Sequence, residues 1–233
     1  TTGVYNAIVI SFSPSGEIYN AGIFNASNDV ALGGSAAVYN YKNATFNVQG
    51  DITISKPFSN CGLLEVQGNI NTTGSGGLNN LCSVWIHGDM TLNSDYTSDS
   101  LMVLEGSLNF NGADFYNNDI LYFNNIALTN DHLYGNGETS VLIVQNNATL
   151  SSGASITGHY YHDLDDGGGF DSVCSGCIED IIILPTVDLP ALPGDLAAEC
   201  GFAINYQLCE EVSCSNTIYG YVFDDFNRSG SYD

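Results

Sequence analysis

The chain has 233 residues, with 26 Asp plus Glu against only 3 Lys plus Arg, for a formal charge of −23. Such a surface repels a phosphate backbone and an anionic bilayer, so nucleic acid is excluded as a partner and membrane binding is disfavoured. No apolar run reaches the roughly 20 residues that span a bilayer, so no membrane insertion is expected.

At 44% hydrophobic the composition is not that of a disordered chain. Its polarity comes mainly from Asn, Ser, Thr and Gly. Divalent cations and neutral or cationic glycans fit as partners. The sequence opens Thr1-Thr2-Gly3, without Met and without a basic leader, which suggests a processed piece of a longer chain.

Residues 1–22 form an entry segment around Ala7-Ile8-Val9-Ile10-Ser11-Phe12. This apolar strand is expected to cap a repeat array, as open stacks require. The alternative is insertion into a like subunit, building a polymer.

Residues 23–158 carry one phrase seven times: apolar-x-apolar-x-Gly/Asn-x-apolar-x-apolar. Clear copies are Phe46-x-Val48-x-Gly50-x-Ile52-x-Ile54 and Val84-x-Ile86-x-Gly88-x-Met90-x-Leu92. The central residue falls at 28, 50, 68, 88, 106, 124 and 146, at intervals of 22, 18, 20, 18, 18 and 22. Alternation places every second side chain on one face of a strand. A strand this short cannot bury enough alone to offset its ordering entropy, but stacked coils can. The fold class is therefore all-β, a β-solenoid (parallel β-helix-like) of about seven coils of roughly 20 residues. The mid-phrase Gly or Asn is expected to bend the chain by adopting positive φ. Asn71–Gly77 and Asn93–Ser100 read as coil loops. An antiparallel sandwich is the competing fold, with Asn111-Gly112 and Asn136-Gly137 as hairpin turns.

Seven cysteines in a charge-poor chain suggest an oxidising compartment. Cys61 and Cys82 lie 21 residues apart, about one coil. On adjacent coils their backbones would be about 5 Å apart, within disulfide reach. Cys174-Ser-Gly-Cys177 fits a tight disulfide or half of a zinc knuckle, and the second CxxC that zinc needs is absent. Cys200, Cys209 and Cys214 leave an odd thiol, free or paired elsewhere.

Residues 159–184 are read as a C-terminal cap with an Asp/Gly-rich loop. Asp163, Asp165 and Asp166, near His159 and His162, form a possible second metal site or a solvated loop. Residues 185–217 carry Pro185, Pro190 and Pro193 and read as a strap along the coil wall or a linker.

Residues 218–233 hold Asp225-x-Asn227-x-Ser229-Gly230-x-x-Asp233. Oxygen ligands at alternate positions around a Gly turn are how a loop wraps Ca²⁺. Asp225 and Asn227 would give side-chain oxygens, Ser229 a weaker one, Ser231 its carbonyl, and Asp233 the closing ligand. The segment resembles the opening of the B-type repeat of serine–aspartate-repeat surface proteins, through Gly220, Val222, Phe223, Asp225, Asn227, Gly230 and Asp233. Ser229 departs from that family's Asp or Asn. The resemblance covers 16 of 233 residues. It implies that a calcium-rigidified β-sandwich stalk starts here, in an exported cell-surface protein.

Catalytic signatures are missing from the sequence. There is no nucleophile elbow, P-loop or dinucleotide fingerprint. The cations are Lys42, Lys56 and Arg228, and none lies in a repeated strand core. Glu65, Asp89 and Glu105 read as single outward charges. Tyr39, Tyr41, Tyr116, Tyr122, Tyr160 and Tyr161 are either a sugar-stacking platform or ladder and core residues. The expected role is non-enzymatic: a structural or adhesive segment of an extracellular or cell-surface protein or filament. It would be joined to downstream domains of the same polypeptide, with structural Ca²⁺. The alternative is a glycan-binding or polysaccharide-degrading β-helix module.

Overall fold

The computed structural model describes residues 3–7, 10–12, 17–33, 37–74, 76–136, 140–151, 153–162, 169–173 and 182–183. Among these residues there is no helix, and every paired strand runs parallel to its neighbour. The chain is a β-solenoid.

A first coil holds β1 (Val4–Ala7), β2 (Ile10–Phe12) and β3 (Glu17–Asn20). Next come β4 (Ile23–Ala26), β5 (Val30–Leu32) and β6 (Ala37–Asn40), then β7 (Thr45–Val48), β8 (Ile52–Ile54) and β9 (Phe58–Asn60). The following coils are β10 (Leu63–Val66), β11 (Ile70–Thr72) and β12 (Leu78–Asn80), then β13 (Ser83–Ile86), β14 (Met90–Leu92) and β15 (Tyr96–Ser98). After that the first two strands of each coil fuse into one bent strand. These coils are β16 (Met102–Phe110) with β17 (Asp114–Asn117), β18 (Ile120–Leu128) with β19 (His132–Gly135), and β20 (Val141–Leu150) with β21 (Ser155–Thr157). Register shifts between Leu104 and Ser107 and between Phe123 and Asn125 mark the bends. β22 (His159–His162), β23 (Gly169–Val173) and β24 (Ile182–Ile183) add to the stack.

The first and second strands of the coils make a 16-stranded sheet, and the third strands make an 8-stranded sheet facing it. Register is strict where it can be followed. Phe24, Phe46, Leu64, Val84, Met102, Leu121, Leu142 and Tyr160 form one interior column, one residue per coil. Each such side chain contributes about 1.5–3 kcal/mol by burial. The return comes only when the coils above and below are present.

The seven expected coils start at Ile23, Thr45, Leu63, Ser83, Met102, Ile120 and Val141. Several readings are corrected. Residues 3–20 are not a single capping strand. They supply three strands, each paired in register with the next coil, so the stack begins before residue 23. Ladder pairing also continues past residue 158. Asn93–Ser100 is not all loop, because it contains β15, whose Tyr96 is buried in the core. The hairpin alternative fails, since Gly112 (φ 73°) turns the chain between parallel strands.

The mid-phrase glycines do not bend the chain through positive φ. Among the described residues that conformation occurs at Asn43, Gly74, Gly112, Asn130, Gly153 and Gly158. Glycine is needed in mid-phrase for close approach. Gly88 donates its N–H to the Gly68 carbonyl at 3.1 Å, and a Cβ on Gly88 would lie 2.5 Å from that same oxygen.

A second apolar cluster lies on the other side of the large sheet. Leu101, Val103, Ile120, Tyr122, Val141 and Ile143 are buried there, with Trp85 and Tyr161 packed against them. Strand alternation explains why they face away from the coil interior, being offset by one from Met102, Leu104, Leu121 and Leu142.

Candidate functional site

The solenoid places chemistry in three columns. The first is a buried amide ladder at the end of the third strand. Asn20 donates from Nδ2 to Asn40 Oδ1 at 2.8 Å, Asn40 to Asn60 at 2.8 Å, and Asn60 to Asn80 at 3.1 Å. The same amide nitrogens also donate across the corner to backbone carbonyls, at Thr45, Leu63 and Ser83. Asn80 passes the ladder to Ser98, and Asn117 bonds Ser140 and Val141. The corner needs a side chain that donates twice and accepts once in a dry place, and asparagine supplies that set. This column was missed from sequence, although Asn20, Asn40, Asn60 and Asn80 recur at intervals of 20.

A related column flanks the mid-phrase glycines. The backbone N–H groups of Asp51, Asn69, Asp89 and Ser107 each donate to the side-chain oxygen one coil back, at Asp29, Asp51, Asn69 and Asp89. Asp89 is therefore a ladder acceptor and not an isolated outward charge.

The second column is a polar cluster on the outward face of β10, β13 and β16. Glu65 is in register with Trp85. His87 places Nδ1 2.9 Å from Glu105 Oε2 and Nε2 3.4 Å from Glu65 Oε1. Trp85 donates from Nε1 to Glu105 Oε1 at 2.8 Å and stacks on the His87 ring at 5.3 Å. Gln67 donates to Glu65 at 3.0 Å. Glu65 and Glu105, expected as single charges, thus share one imidazole. Sequence spacing alone did not reveal this, because the contact needs the coil register.

The third column is aromatic. Of the six tyrosines considered for a sugar platform, Tyr122 and Tyr160 are buried, and Tyr161 packs against the second apolar cluster. Tyr39 and Tyr116 instead lie on the outward face of the small sheet, stacked on Tyr19 and Tyr134 at 5.0 and 5.3 Å. Tyr41 lies 6.2 Å from Tyr19. Glu17 accepts a hydrogen bond from the Tyr19 hydroxyl, and with burial and nearby charge this pushes its pKa up to about 12. Burial also raises Tyr116. These hydroxyls therefore stay neutral donors at physiological pH.

Cys61 and Cys82 sit on neighbouring coils, flanking the paired residues Asn60 and Asn80. His162 is fully buried. Its Nε2 donates to the Asn146 carbonyl at 2.8 Å and its Nδ1 takes the Tyr160 hydroxyl at 3.0 Å, which turns it away from a surface metal site. Asp163, Asp165, Asp166, Cys174, Cys177 and the proposed calcium ligands Asp225, Asn227, Ser229, Ser231 and Asp233 lie outside the described residues. Among the described residues no group of three or more His, Cys, Asp or Glu is arranged to hold a metal ion. No helix there is long and apolar enough to cross a membrane.

No family model, no curated protein and no solved structure matches this chain.

Proposed function

We propose that the chain is a non-enzymatic, shape-holding segment of an extracellular surface protein or filament. The observation that carries this reading is the run of parallel pairs from β1 to β24, reinforced by side-chain amide ladders that tie each coil to the next. Stacked coils with cross-coil bonds in the same sense resist bending and offer proteases few openings. A Cys61–Cys82 disulfide would staple two coils and fits an oxidising compartment. Calcium held by Asp225, Asn227, Ser229, Ser231 and Asp233 would stiffen the joint to a following sandwich domain, in keeping with the resemblance of residues 218–233 to a B-type repeat.

The test is a protease-resistance and melting comparison of a polypeptide extended past Asp233, with calcium and with EGTA. Calcium should raise both. Equal resistance in the two conditions would sink the joint. Polysaccharide turnover by the purified chain would sink the non-enzymatic reading.

The Glu65–His87–Glu105 cluster beside Trp85 favours a second reading, a polysaccharide-degrading module. Turnover abolished by Glu105→Gln would support it.

A further inference from the structure

The outward face of the small sheet has an uneven profile that neither the core nor the ladders require. Its register runs Tyr39, Ser59, Asn79, Thr97, Tyr116, one residue per coil. Tyr39 and Tyr116 are each braced from behind by a stacked ring, Tyr19 and Tyr134. Between them three coils carry only small polar side chains in this column. Four rungs of parallel sheet separate the two braced rings, a distance of about 19 Å. The result is a shallow trough with an aromatic wall at each end.

Its floor is low and polar. The side chains of Ser59, Asn79 and Thr97 make no hydrogen bond to the described residues; Ser59 and Thr97 are half-buried and Asn79 is exposed, so their polar groups are open to solvent or a ligand. In the other floor column, Gly77 stands beside Pro57, leaving backbone close to the surface.

We propose that this trough binds a neutral, linear polysaccharide, with sugar rings stacked on Tyr39 and Tyr116 and hydroxyls bonded to Ser59, Asn79 and Thr97. Tyrosine offers a large flat apolar face with a polar tip, which suits the C–H faces of a pyranose. Hydroxyl and amide groups match sugar hydroxyls without charge. A net charge of −23 opposes an anionic polymer, and the Ser59, Asn79 and Thr97 column carries no carboxylate to pair with a cationic one, which leaves neutral glycans as the match to this column. The site is independent of the shape-holding role.

Affinity electrophoresis of the full chain tests this, in gels containing hydroxyethyl cellulose, laminarin, mannan or polygalacturonate. Retardation by at least one neutral polymer and none by polygalacturonate is expected. Tyr39→Ala and Tyr116→Ala should each weaken it about 2- to 10-fold, the worth of one ring contact. Thr97→Arg leaves every core residue in place and should weaken it through the floor, with melting unchanged. Three results overturn the proposal: no retardation by any neutral polymer, equal retardation by polygalacturonate, or retardation surviving both Thr97→Arg and the double tyrosine variant. Tyrosine variants that melt lower yet bind as before show a purely structural stack, which also overturns it.

Discussion

Asn40 donates from Nδ2 to Asn60 Oδ1 at 2.8 Å, and both side chains are sealed inside the solenoid. Asn60 then donates to Asn80 Oδ1 and to the Ser83 carbonyl at 2.8 Å. Removing one rung therefore strands partners above and below. Asn60→Ala is expected to lower unfolding free energy by about 2–4 kcal/mol, since each orphaned buried group costs about 1–3. Asn25→Ala, in the half-exposed ladder between Asn6 and Asn47, should cost under about 1 kcal/mol. Urea titration of both variants settles it. Equal losses would mean that the buried ladder adds nothing beyond packing.

Gly88 and Gly77 separate two meanings of glycine in one fold. A Cβ on Gly88 would meet the Gly68 carbonyl oxygen at 2.5 Å, backbone that cannot swing aside. A Cβ on Gly77 would meet nothing within 4 Å. Gly88→Ala should cost about 1–3 kcal/mol through overpacking. Gly77→Ala should be neutral or stabilising by about 0.4–1 kcal/mol, by restricting the unfolded chain. Thermal melts should fall for Gly88→Ala and stay level or rise for Gly77→Ala if close approach is the reason for the mid-phrase glycine.

The two strands of each phrase were legible because Phe46, Val48, Ile52 and Ile54 alternate cleanly around one small residue. The third strand was not. It carries few interior side chains per coil, such as Phe58 and Asn60 in β9, amid residues that also suit turns. Its inward Asn breaks the apolar alternation by which strands are read. The glycine positions were found but their reason was misread, because close approach belongs to the neighbouring coil and leaves no local mark. Glu65, Trp85, His87 and Glu105 come from three coils of unequal length. Their meeting depends on register, which a list of intervals does not supply.

Asp119 lies in the turn before β18, and burial raises its carboxyl pKa from 3.8 to about 6. A carboxyl raised in this way holds its proton more tightly folded than unfolded. The protonated form supports folding fully below pH 3.8, and that support is lost as pH climbs through 6. Asp119→Asn keeps the shape without the charge. Relative to the parent, it should melt higher at pH 7.5, with the difference closing towards pH 4. A gain of the same size at both pH values would show that desolvation of the charge is not the cause.

Cys61 lies at the corner between β9 and β10, and Cys82 at the matching corner one coil on, between β12 and β13. A disulfide between them closes a loop of 21 residues, and chain-entropy reasoning gives such a link about 3 kcal/mol. Cys61→Ser and Cys82→Ser should each lose that amount under non-reducing conditions. The double variant should lose little more than either single one, because the two thiols act as one bond. Reductant should lower the parent's midpoint towards the variants and leave the variants' own midpoints nearly unmoved. Mass spectrometry of a non-reduced digest should find the two peptides joined. Additive losses in the double variant, or separate peptides, would rule out the coil staple.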